Sequence, residues 1–360
     1  MTASPHPATS AELAEVVRST PRLIAVGGGT KPRLSAVDAV RVSTAGLRGI
    51  IDYDPSEFTF TALAGTPLRE IAAALAGRGQ YLPFDPPLVA AGATLGGTVA
   101  AGLSGPGRFR FGGVRDFILG VLFVDGSGRL LRLGGRVVKN AAGFDVPKFM
   151  VGSAGRFGVL AEVTFKVFPQ PASSLTLRLP VDSVESAVRL MVEAGSARWE
   201  ADALDLPPDG RAVCLRLAGP AAALPEIARE ILGRWPGEML SADDAARLWA
   251  DLREMAWTQP GGVLLKVALT PGALVALAAL LQKCDGARFH ASAGGNVAWV
   301  SLASPADAPR LDAGLRTLGL AAMTLRGDAP LWCGVRPRSQ LALAVKAALD
   351  PDHRFPALDD

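Results

Sequence analysis

The sequence predicts an α+β protein with two domains, and three observations support this fold class. The chain has 360 residues, more than the ~100–200 of a typical domain. Hydrophobic residues make up 49% of it and charged residues 20%, which allows a sizeable core and excludes global disorder. Glycines cluster between Val26 and Gly158 but occur mostly singly beyond Pro171. We place the domain boundary at residues 167–171, where two prolines end a strand.

Residues 1–10 read as a disordered tail, and residues 11–170 as the first domain, in which short apolar runs alternate with helical ones. Thr66 is expected to cap a helix that starts at Pro67, and Asp125-Gly126 is a hairpin signal. The predicted elements, in order, are a helix at 11–19, strands at 22–26, 50–54 and 58–64, the helix from 67, and strands at 117–124, 130–133 and 159–168.

Residues 171–337 predict a second domain that caps the first or binds substrate or a partner. Strands and helices recur there in the same order twice, as two tandem β-α-β-β-α-β units joined by a linker helix at 242–257. Such units would merge into one antiparallel sheet covered by helices. A C-terminal helix and tail are expected over 338–360.

Charge and scarce residue types narrow the chemistry. The net charge is only +3, which is too small to indicate a nucleic-acid partner, and none is expected. The charge is unevenly distributed, because residues 1–170 hold 18 Lys and Arg against 12 Asp and Glu. The first domain therefore suits an anionic ligand. Three scattered cysteines and three scattered histidines provide neither a metal site nor a disulfide framework, and they are too few for an iron–sulfur cluster.

The location expected from these features is cytoplasmic, at the inner face of the plasma membrane if the protein joins a membrane-associated complex. Residues 1–10 lack the features of a signal peptide. The uncharged stretch between Asp85 and Arg108 is long enough to span a bilayer, but it is rich in glycine and proline. It is better interpreted as a ligand-binding loop than as a transmembrane segment.

Three glycine clusters carry the first domain's chemistry. The first, Gly27-Gly28-Gly29-Thr30-Lys31, follows a strand directly, so bare backbone N–H groups can converge on phosphate oxygens while Lys31 adds charge. It matches neither the dinucleotide-binding fingerprint nor a P-loop, and a structural turn explains it equally well. The second cluster is 93–102 and the third is 152–159; close helix packing is the alternative for the second.

In combination, these clusters resemble the FAD-binding domain of the vanillyl-alcohol oxidase type, also called the PCMH type. The resemblance includes residues 111–116, 137–145 and 155–163 and covers roughly residues 10–170. It implies that the first two clusters hold the FAD pyrophosphate and that Gly155–Val159 lines the adenine and ribose. The cofactor-binding residues it implies are Gly27, Gly28, Gly29, Thr30, Lys31, Pro86, Thr94, Leu95, Gly96, Gly97, Thr98, Gly102, Phe111, Gly112, Asp116, Lys139, Asn140, Gly155, Gly158 and Val159.

Members of this family with covalent flavin often have a histidine near the first glycine loop. This sequence has no histidine between His6 and His290, so the resemblance implies non-covalent FAD. It further implies an FAD-dependent oxidoreductase: an FAD-binding subunit that acts with a larger flavoprotein subunit and an iron–sulfur subunit to oxidise glycolate or another 2-hydroxy acid. The sequence lacks the Asn-Pro-Gly-Arg ending common in the family, which leaves its C-terminal segment unassigned.

Catalytic residues are indicated by residue type alone. Oxidation of a hydroxy acid needs a base and a cation for the carboxylate, for which His290, Arg288 and Arg326 are candidates. An ordinary strand histidine and surface arginines are the stronger interpretation. Two other functions remain open: a self-sufficient flavin oxidoreductase acting on another hydroxy acid or alcohol, and a non-catalytic scaffold with a vestigial flavin site.

Overall fold

A computed structural model describes residues 4–135, 145–336 and 339–360. The chain divides into two compact units, and the main division follows Gln170. Unit 1 draws on the ranges 1–104, 113–170 and 337–360, and unit 2 on 105–112 and 171–336. The final segment, predicted as a separate helix and tail, is therefore part of unit 1.

Residues up to Gln170 alternate short helices and strands. The helices are α1 (Ser10–Ser19), α2 (Leu68–Ala76), α3 (Leu95–Ala101), α4 (Arg108–Phe111), α5 (Val114–Phe117) and α6 (Val146–Phe149). The strands are β1 (Leu23–Val26), β2 (Val40–Ser43), β3 (Ile50–Asp54), β4 (Thr59–Leu63), β5 (Gln80–Tyr81), β6 (Ile118–Val124), β7 (Leu130–Gly134), β8 (Val159–Lys166) and β9 (Phe168–Pro169). Helix α4 belongs to the segment of unit 2.

Unit 1 is built on a five-stranded antiparallel sheet in the order β3-β4-β8-β6-β7. Strands β1 and β2 form a parallel pair, and β5 and β9 an antiparallel one. Helix α1 buries Leu13 and Val17 against Val124 of β6 and Ala161 of β8, so apolar burial fixes the helix on the sheet.

Two local predictions illustrate how turn chemistry operates in unit 1. The hairpin at Asp125 is confirmed, because β6 and β7 pair and the Asp125 carboxylate accepts the backbone N–H groups of Ser127 and Arg129 at 3.0 and 2.9 Å. The predicted start of α2 is corrected: its N-cap is Pro67, while Thr66 Oγ1 instead accepts Gly49 N at 2.9 Å.

Residues 5–10, predicted as part of a disordered tail, make defined contacts within unit 1. Pro7 is buried, and Pro5 O accepts the backbone N–H of Ser43 in β2 at 2.9 Å. The Thr9 hydroxyl caps α1 by accepting Glu12 N at 3.1 Å. Composition alone predicted a disordered tail, because it does not reveal contacts with residues distant in sequence, such as Ser43.

Unit 2 contains the two predicted β-α-β-β-α-β units. The first comprises β10 (Ser173–Pro180), α7 (Val184–Gly195), β11 (Ala203–Asp205), β12 (Ala212–Gly219), α8 (Leu224–Arg234) and β13 (Glu238–Met239). Helix α9 (Ala242–Glu254) links it to the second, which comprises β14 (Val263–Ala268), α10 (Leu274–Leu281), β15 (Arg288–Ser292), β16 (Val297–Leu302), α11 (Ala308–Thr317) and β17 (Ala321–Arg326), followed by β18 (Trp332–Gly334).

The two repeats have the same strand order. Their sheets are β11-β12-β10-β13 and β15-β16-β14-β17-β18, and all their neighbouring strands are antiparallel. The sheets meet at one antiparallel bridge between Leu206 and Ala291, which exchange hydrogen bonds of 2.7 and 3.0 Å. The predicted merged sheet is thus two sheets joined at one point, over a shared apolar core.

Helix α12 (Gln340–Leu349) and the residues after it return the chain to unit 1. Leu23 of β1 donates its backbone N–H to Arg354 O at 2.8 Å, and Gly126 N donates to Leu349 O at 2.7 Å. Phe355 is buried in the same cluster as Leu13 and Val17. The last residues therefore contribute to the core of unit 1.

Candidate functional site

A cleft that is open to solvent lies in unit 1. Three sequence segments that are distant in the chain meet around it, and they contain parts of all three glycine clusters. Its lining residues are Ala25, Val26, Gly27, Gly28, Gly29, Thr30, Lys31, Leu34, Ser35, Thr44, Ala64, Thr94, Gly96, Gly97, Ala100, Ser153, Ala154, Gly155, Gly158, Val159 and Leu160.

The first wall is the loop that leaves β1. No hydrogen bond within the described part of the chain is donated by the backbone N–H of Gly27, Gly28 or Gly29. A Cβ on Gly28 would lie 1.9 Å from Gly92 O, and one on Gly27 would lie 2.3 Å from Thr94 Oγ1. These two positions require glycine because the second wall approaches so closely, which leaves a row of bare N–H donors at the cleft.

The second wall is the start of α3. Thr94 is its N-cap and accepts Gly97 N at 3.3 Å, and Gly96 N donates to Ala64 O at 2.7 Å. A Cβ on Gly96 would lie 2.7 Å from the Ala64 side chain, so only glycine fits between helix and sheet. This packing holds Thr94, Gly96 and Gly97 at the cleft.

The third wall is the loop that enters β8. Ala154 and Gly155 both have left-handed backbone conformations, with φ of 48° and 77°. For alanine this conformation is uncommon and is maintained by its surroundings, which include a 2.7 Å hydrogen bond from Ala154 N to Ala100 O. The hydroxyl of Ser153 is buried and has no hydrogen-bond partner among the described residues.

Lys31 supplies positive charge to the cleft. Its ammonium group donates to Thr30 Oγ1 at 2.8 Å, and its side chain is half-buried. Burial lowers the pKa of Lys31 to about 8, because the charged form loses hydration. An anion bound in the cleft would favour the charged ammonium and offset that loss.

The structure brings eleven of the sequence-predicted cofactor residues together at the cleft. They are Gly27, Gly28, Gly29, Thr30, Lys31, Thr94, Gly96, Gly97, Gly155, Gly158 and Val159. Their role in binding stays a prediction, since the structure shows their placement and not a ligand.

The other predicted residues lie elsewhere. Leu95 and Thr98 are buried within α3, Gly102 ends that helix, and Pro86 is in the preceding loop, none of them in the lining. Phe111 and Gly112 are in the segment that belongs to unit 2, and Asp116 accepts Gly113 N at 2.8 Å at the start of α5. Lys139 and Asn140 lie outside the described residues.

Sequence reasoning did not select several residues that line the cleft. Ser153 and Ala154 lie within the third cluster, whose run of small residues was the available signal. Thr44 and Ala64 follow strands β2 and β4, and no local motif marks them. They reach the cleft only because of how these strands pair.

The three catalytic candidates lie in unit 2 and are engaged in structural contacts. His290 is 1% exposed, and its Nε2 lies 2.7 Å from Asp205 Oδ2. Arg288 donates to Trp257 O at 3.2 Å, and Arg326 donates to Thr258 Oγ1 at 2.6 Å. In the same sheet, Lys266 of β14 pairs with Trp299 of β16. Burial, together with the positive charge of Arg108, lowers the pKa of Lys266 to about 8.

The described residues contain no group of three or more His, Cys, Asp or Glu side chains that could hold a metal ion. All three cysteines are free and buried, and burial raises the pKa of the Cys214 thiol to about 12. Within the described residues, no helix combines the length and the apolar character needed to cross a bilayer.

Comparison with protein families finds one match that bears on the cleft. Residues 4–134 match the family model of the FAD binding domain. This range includes the first two walls of the cleft, from Gly27 to Gly97.

The matches to these curated relatives cover between 41% and 58% of the chain. The chain is 43% identical over 212 residues to glycolate oxidase subunit GlcE of Escherichia coli K12, a match that covers 58% of this chain and 56% of the relative. It is 29% identical over 165 residues to a D-lactate dehydrogenase of Anaerostipes hadrus, covering 46% and 32%. It is 27% identical over 149 residues to glycolate oxidase subunit GlcD of Bacillus subtilis 168, covering 41% and 32%. The matches therefore span between about a third and just over half of these relatives' own lengths.

Among solved structures, alkyldihydroxyacetonephosphate synthase has a similar fold. Its TM-score is 0.72 at 15% sequence identity, with 97% of this chain and 75% of that chain covered. At this identity the likeness concerns the fold alone, and it confirms the predicted fold class.

Proposed function

Because residues 4–134 carry an FAD-binding domain, we propose that this chain is the FAD-binding subunit of an enzyme complex that oxidises glycolate or a related 2-hydroxy acid. The cofactor prediction is confirmed at the level of this domain. The oxidation itself, its substrate and the partner subunits are the proposal.

The observation that carries the proposal is the convergence of three glycine-rich walls on one cleft. The residues present fit FAD on structural grounds: a Cβ at Gly27, Gly28 or Gly96 would collide with neighbouring atoms, and the N–H groups of the first loop are unused. Ser153 adds a buried hydroxyl without a partner in the described part of the chain. A buried hydroxyl without a partner is expected where a ligand completes the hydrogen bonding, and the exposed N–H groups of Gly28 and Gly29 are accessible to an anion.

We assign roles to the cleft residues accordingly. The N–H groups of Gly27–Gly29 and the ammonium of Lys31 would hold the pyrophosphate, with Thr94–Gly97 on its other side. Gly155–Val159 and Ser153 would lie against the adenine and ribose. When bound, FAD supplies the two-electron acceptor that oxidation of an alcohol carbon requires. The protein would bind and orient the cofactor.

The substrate class is proposed from the names of the relatives. Glycolate and D-lactate, the compounds in those names, are both 2-hydroxy acids. Oxidation of glycolate would give glyoxylate, with both electrons passing to the flavin.

Dependence on partner subunits is supported by the state of the catalytic candidates. His290 is enclosed and paired with Asp205, and Arg288 and Arg326 are held by Trp257 and Thr258. The larger flavoprotein subunit or the iron–sulfur subunit would supply the base and the carboxylate-binding cation that these residues do not provide. The relatives named as glycolate oxidase subunits agree with such an assembly.

Two exposed leucines agree with the same proposal. Helix α12 leaves Leu341 and Leu343 54% and 51% exposed. A partner that covers them would explain this exposure. The three free, buried cysteines suit a cytoplasmic assembly, which we propose lies at the inner face of the plasma membrane.

The test is anaerobic reduction of the bound flavin, followed by its absorbance near 450 nm. We expect glycolate to bleach the flavin when the larger flavoprotein and iron–sulfur subunits are present, and acetate, which lacks the hydroxyl, to leave it unchanged. Bleaching of the isolated chain would favour a self-sufficient oxidoreductase. A chain that cannot be loaded with FAD would favour the scaffold.

A further inference from the structure

Arg156 connects two segments that line the cleft. Its side chain is only 1% exposed, and one guanidinium nitrogen donates both to Leu34 O, at 2.7 Å, and to Ala154 O. Leu34 and Ala154 both line the cleft, the first after the glycine loop and the second in the loop before β8. Arg156 itself is not in the lining, so it can act on a ligand only through these neighbours.

The contact with Ala154 bears on the shape of the third wall. Ala154 has a left-handed backbone, which costs an alanine free energy relative to an ordinary conformation. The hydrogen bond that its carbonyl accepts from Arg156 helps to hold it there. Loss of Arg156 would leave this carbonyl and that of Leu34 without their guanidinium donor.

The C-terminal segment, residues 346–360, encloses Arg156. The second terminal guanidinium nitrogen of Arg156 donates to Asp360 O at 2.6 Å, and Lys346 Nζ donates to Arg156 O at 2.7 Å. Lys346 also pairs with Asp350 at 2.5 Å and donates to Phe355 O at 3.1 Å. Asp350 in turn accepts the backbone N–H groups of Arg354 and Phe355 at 2.8 and 3.1 Å.

Helix α12 buries Lys346, although lysine side chains are usually exposed. Apart from Gln340, its residues are all apolar except Lys346, yet Lys346 is the only side chain that the helix buries, while Leu341 and Leu343 are exposed. Burying an ammonium group is unfavourable unless it is paired and hydrogen-bonded, as it is here. Such an arrangement indicates that the position of Lys346 serves a purpose besides packing.

We propose that the C-terminal segment is a positioning element of the cofactor cleft, which sets the third wall through Lys346 and Arg156. This inference rests on the proposed FAD site. The segment's hydrogen bonds reach the cleft lining through Arg156, so it would act on binding by holding Leu34 and Ala154 in the arrangement that accepts the cofactor.

Coupling of this kind is reciprocal. If the ordered segment favours FAD binding, then bound FAD must favour the ordered segment by the same factor. Both directions are measurable, and protection of the segment that exceeds the protection of amides in unit 2 distinguishes this coupling from a general gain in stability.

The first experiment measures FAD dissociation constants of the full chain by titration of flavin fluorescence. We expect Lys346→Met and Arg156→Met to weaken FAD binding about tenfold or more. Arg156→Lys, which keeps the charge but not the forked donor geometry, should also weaken it. Arg48→Ala is the control, because it removes a surface ion pair with Glu70 in unit 1 that involves neither Arg156 nor the C-terminal segment. It should leave the constant unchanged.

The second experiment uses the unaltered chain and so does not depend on whether the variants fold. Hydrogen exchange at the backbone N–H groups of Arg354 and Phe355 is measured with and without saturating FAD, and we expect FAD to slow it about tenfold. Unchanged exchange, or equal affinities of Lys346→Met and the unaltered chain, would overturn this inference alone. An unaltered chain that binds no FAD would overturn the proposed function and this inference with it.

Discussion

His290 Nε2 lies 2.7 Å from Asp205 Oδ2, and both side chains are buried at the junction between the two repeats of unit 2. Asp205 is the last residue of β11 and His290 is in β15, one residue from the bridge between Leu206 and Ala291. The other Asp205 oxygen accepts Ala293 N at 3.0 Å. The pair therefore links the two sheets, and His290, the candidate base, has a structural position.

Removal of this link should destabilise unit 2. Asp205→Ala leaves the Ala293 N–H and a ring nitrogen of His290 buried without their acceptor, and we expect the free energy of unfolding to fall by about 2–3 kcal/mol. All six tryptophans lie in residues 171–336, so tryptophan fluorescence during urea unfolding reports on unit 2. Glu230→Ala, which removes an exposed pair with Arg198, is the control. Equal midpoints for Asp205→Ala and the unaltered chain would refute the structural role.

The unpartnered hydroxyl of Ser153 provides a test of the third wall. If it donates to FAD, Ser153→Ala should weaken FAD binding about tenfold. The same change should not lower the stability of the FAD-free chain, because it removes a polar group that lacks a partner there. Isothermal titration calorimetry and thermal unfolding measure the two effects separately.

Thr98→Val is the matched control for Ser153→Ala. The Thr98 hydroxyl is also buried without a partner in the described part of the chain, but Thr98 does not line the cleft. We expect this variant to keep its affinity for FAD. If both variants lose affinity equally, the effect of Ser153 does not come from contact with the cofactor.

The Lys31 ammonium should make FAD binding depend on pH. Its pKa is lowered to about 8 in the free protein, and a bound pyrophosphate would raise it again, so binding takes up a proton above pH 8. The dissociation constant should be flat below pH 8 and rise above it, by at most about tenfold per pH unit. Titrations between pH 6.5 and 9.5 measure this.

Lys31→Met separates the lysine from other titrating groups. The variant should bind FAD more weakly at pH 7, since the pyrophosphate loses a positive charge, and its affinity should not change through pH 8. A variant that keeps the full pH dependence would show that another group is responsible.

Local turn chemistry and hydrophobic periodicity made much of the fold predictable from the sequence. Asp125-Gly126 predicted a hairpin because its turn depends on neighbouring residues alone, and the order of strands and helices in unit 2 followed from alternating periodic segments. The single bridge at Leu206 was beyond such reasoning, because it depends on how two sheets meet. The packing of Pro5 and Pro7 was missed for the same reason.

The candidate site was predictable where glycine carried the signal. Gly27, Gly28 and Gly96 stand where a side chain would collide, and such positions leave a mark in the sequence. Thr44 and Ala64 left none, because strand pairing alone brings them to the cleft. Lys346 was also missed, since an apolar helix normally buries its leucines and exposes its lysine.

The flavin content of the purified chain after incubation with FAD, read from its absorbance near 450 nm against that at 280 nm, tests the central claim most directly. We expect the unaltered chain and Gly77→Ala to retain FAD, because a Cβ at Gly77 meets nothing closer than 3.4 Å. Gly28→Ala and Gly96→Val should retain about tenfold less, or none, while the tryptophan fluorescence of unit 2 stays native. Equal flavin content in all four proteins, or none in the unaltered chain, would contradict the assignment of the cleft to FAD.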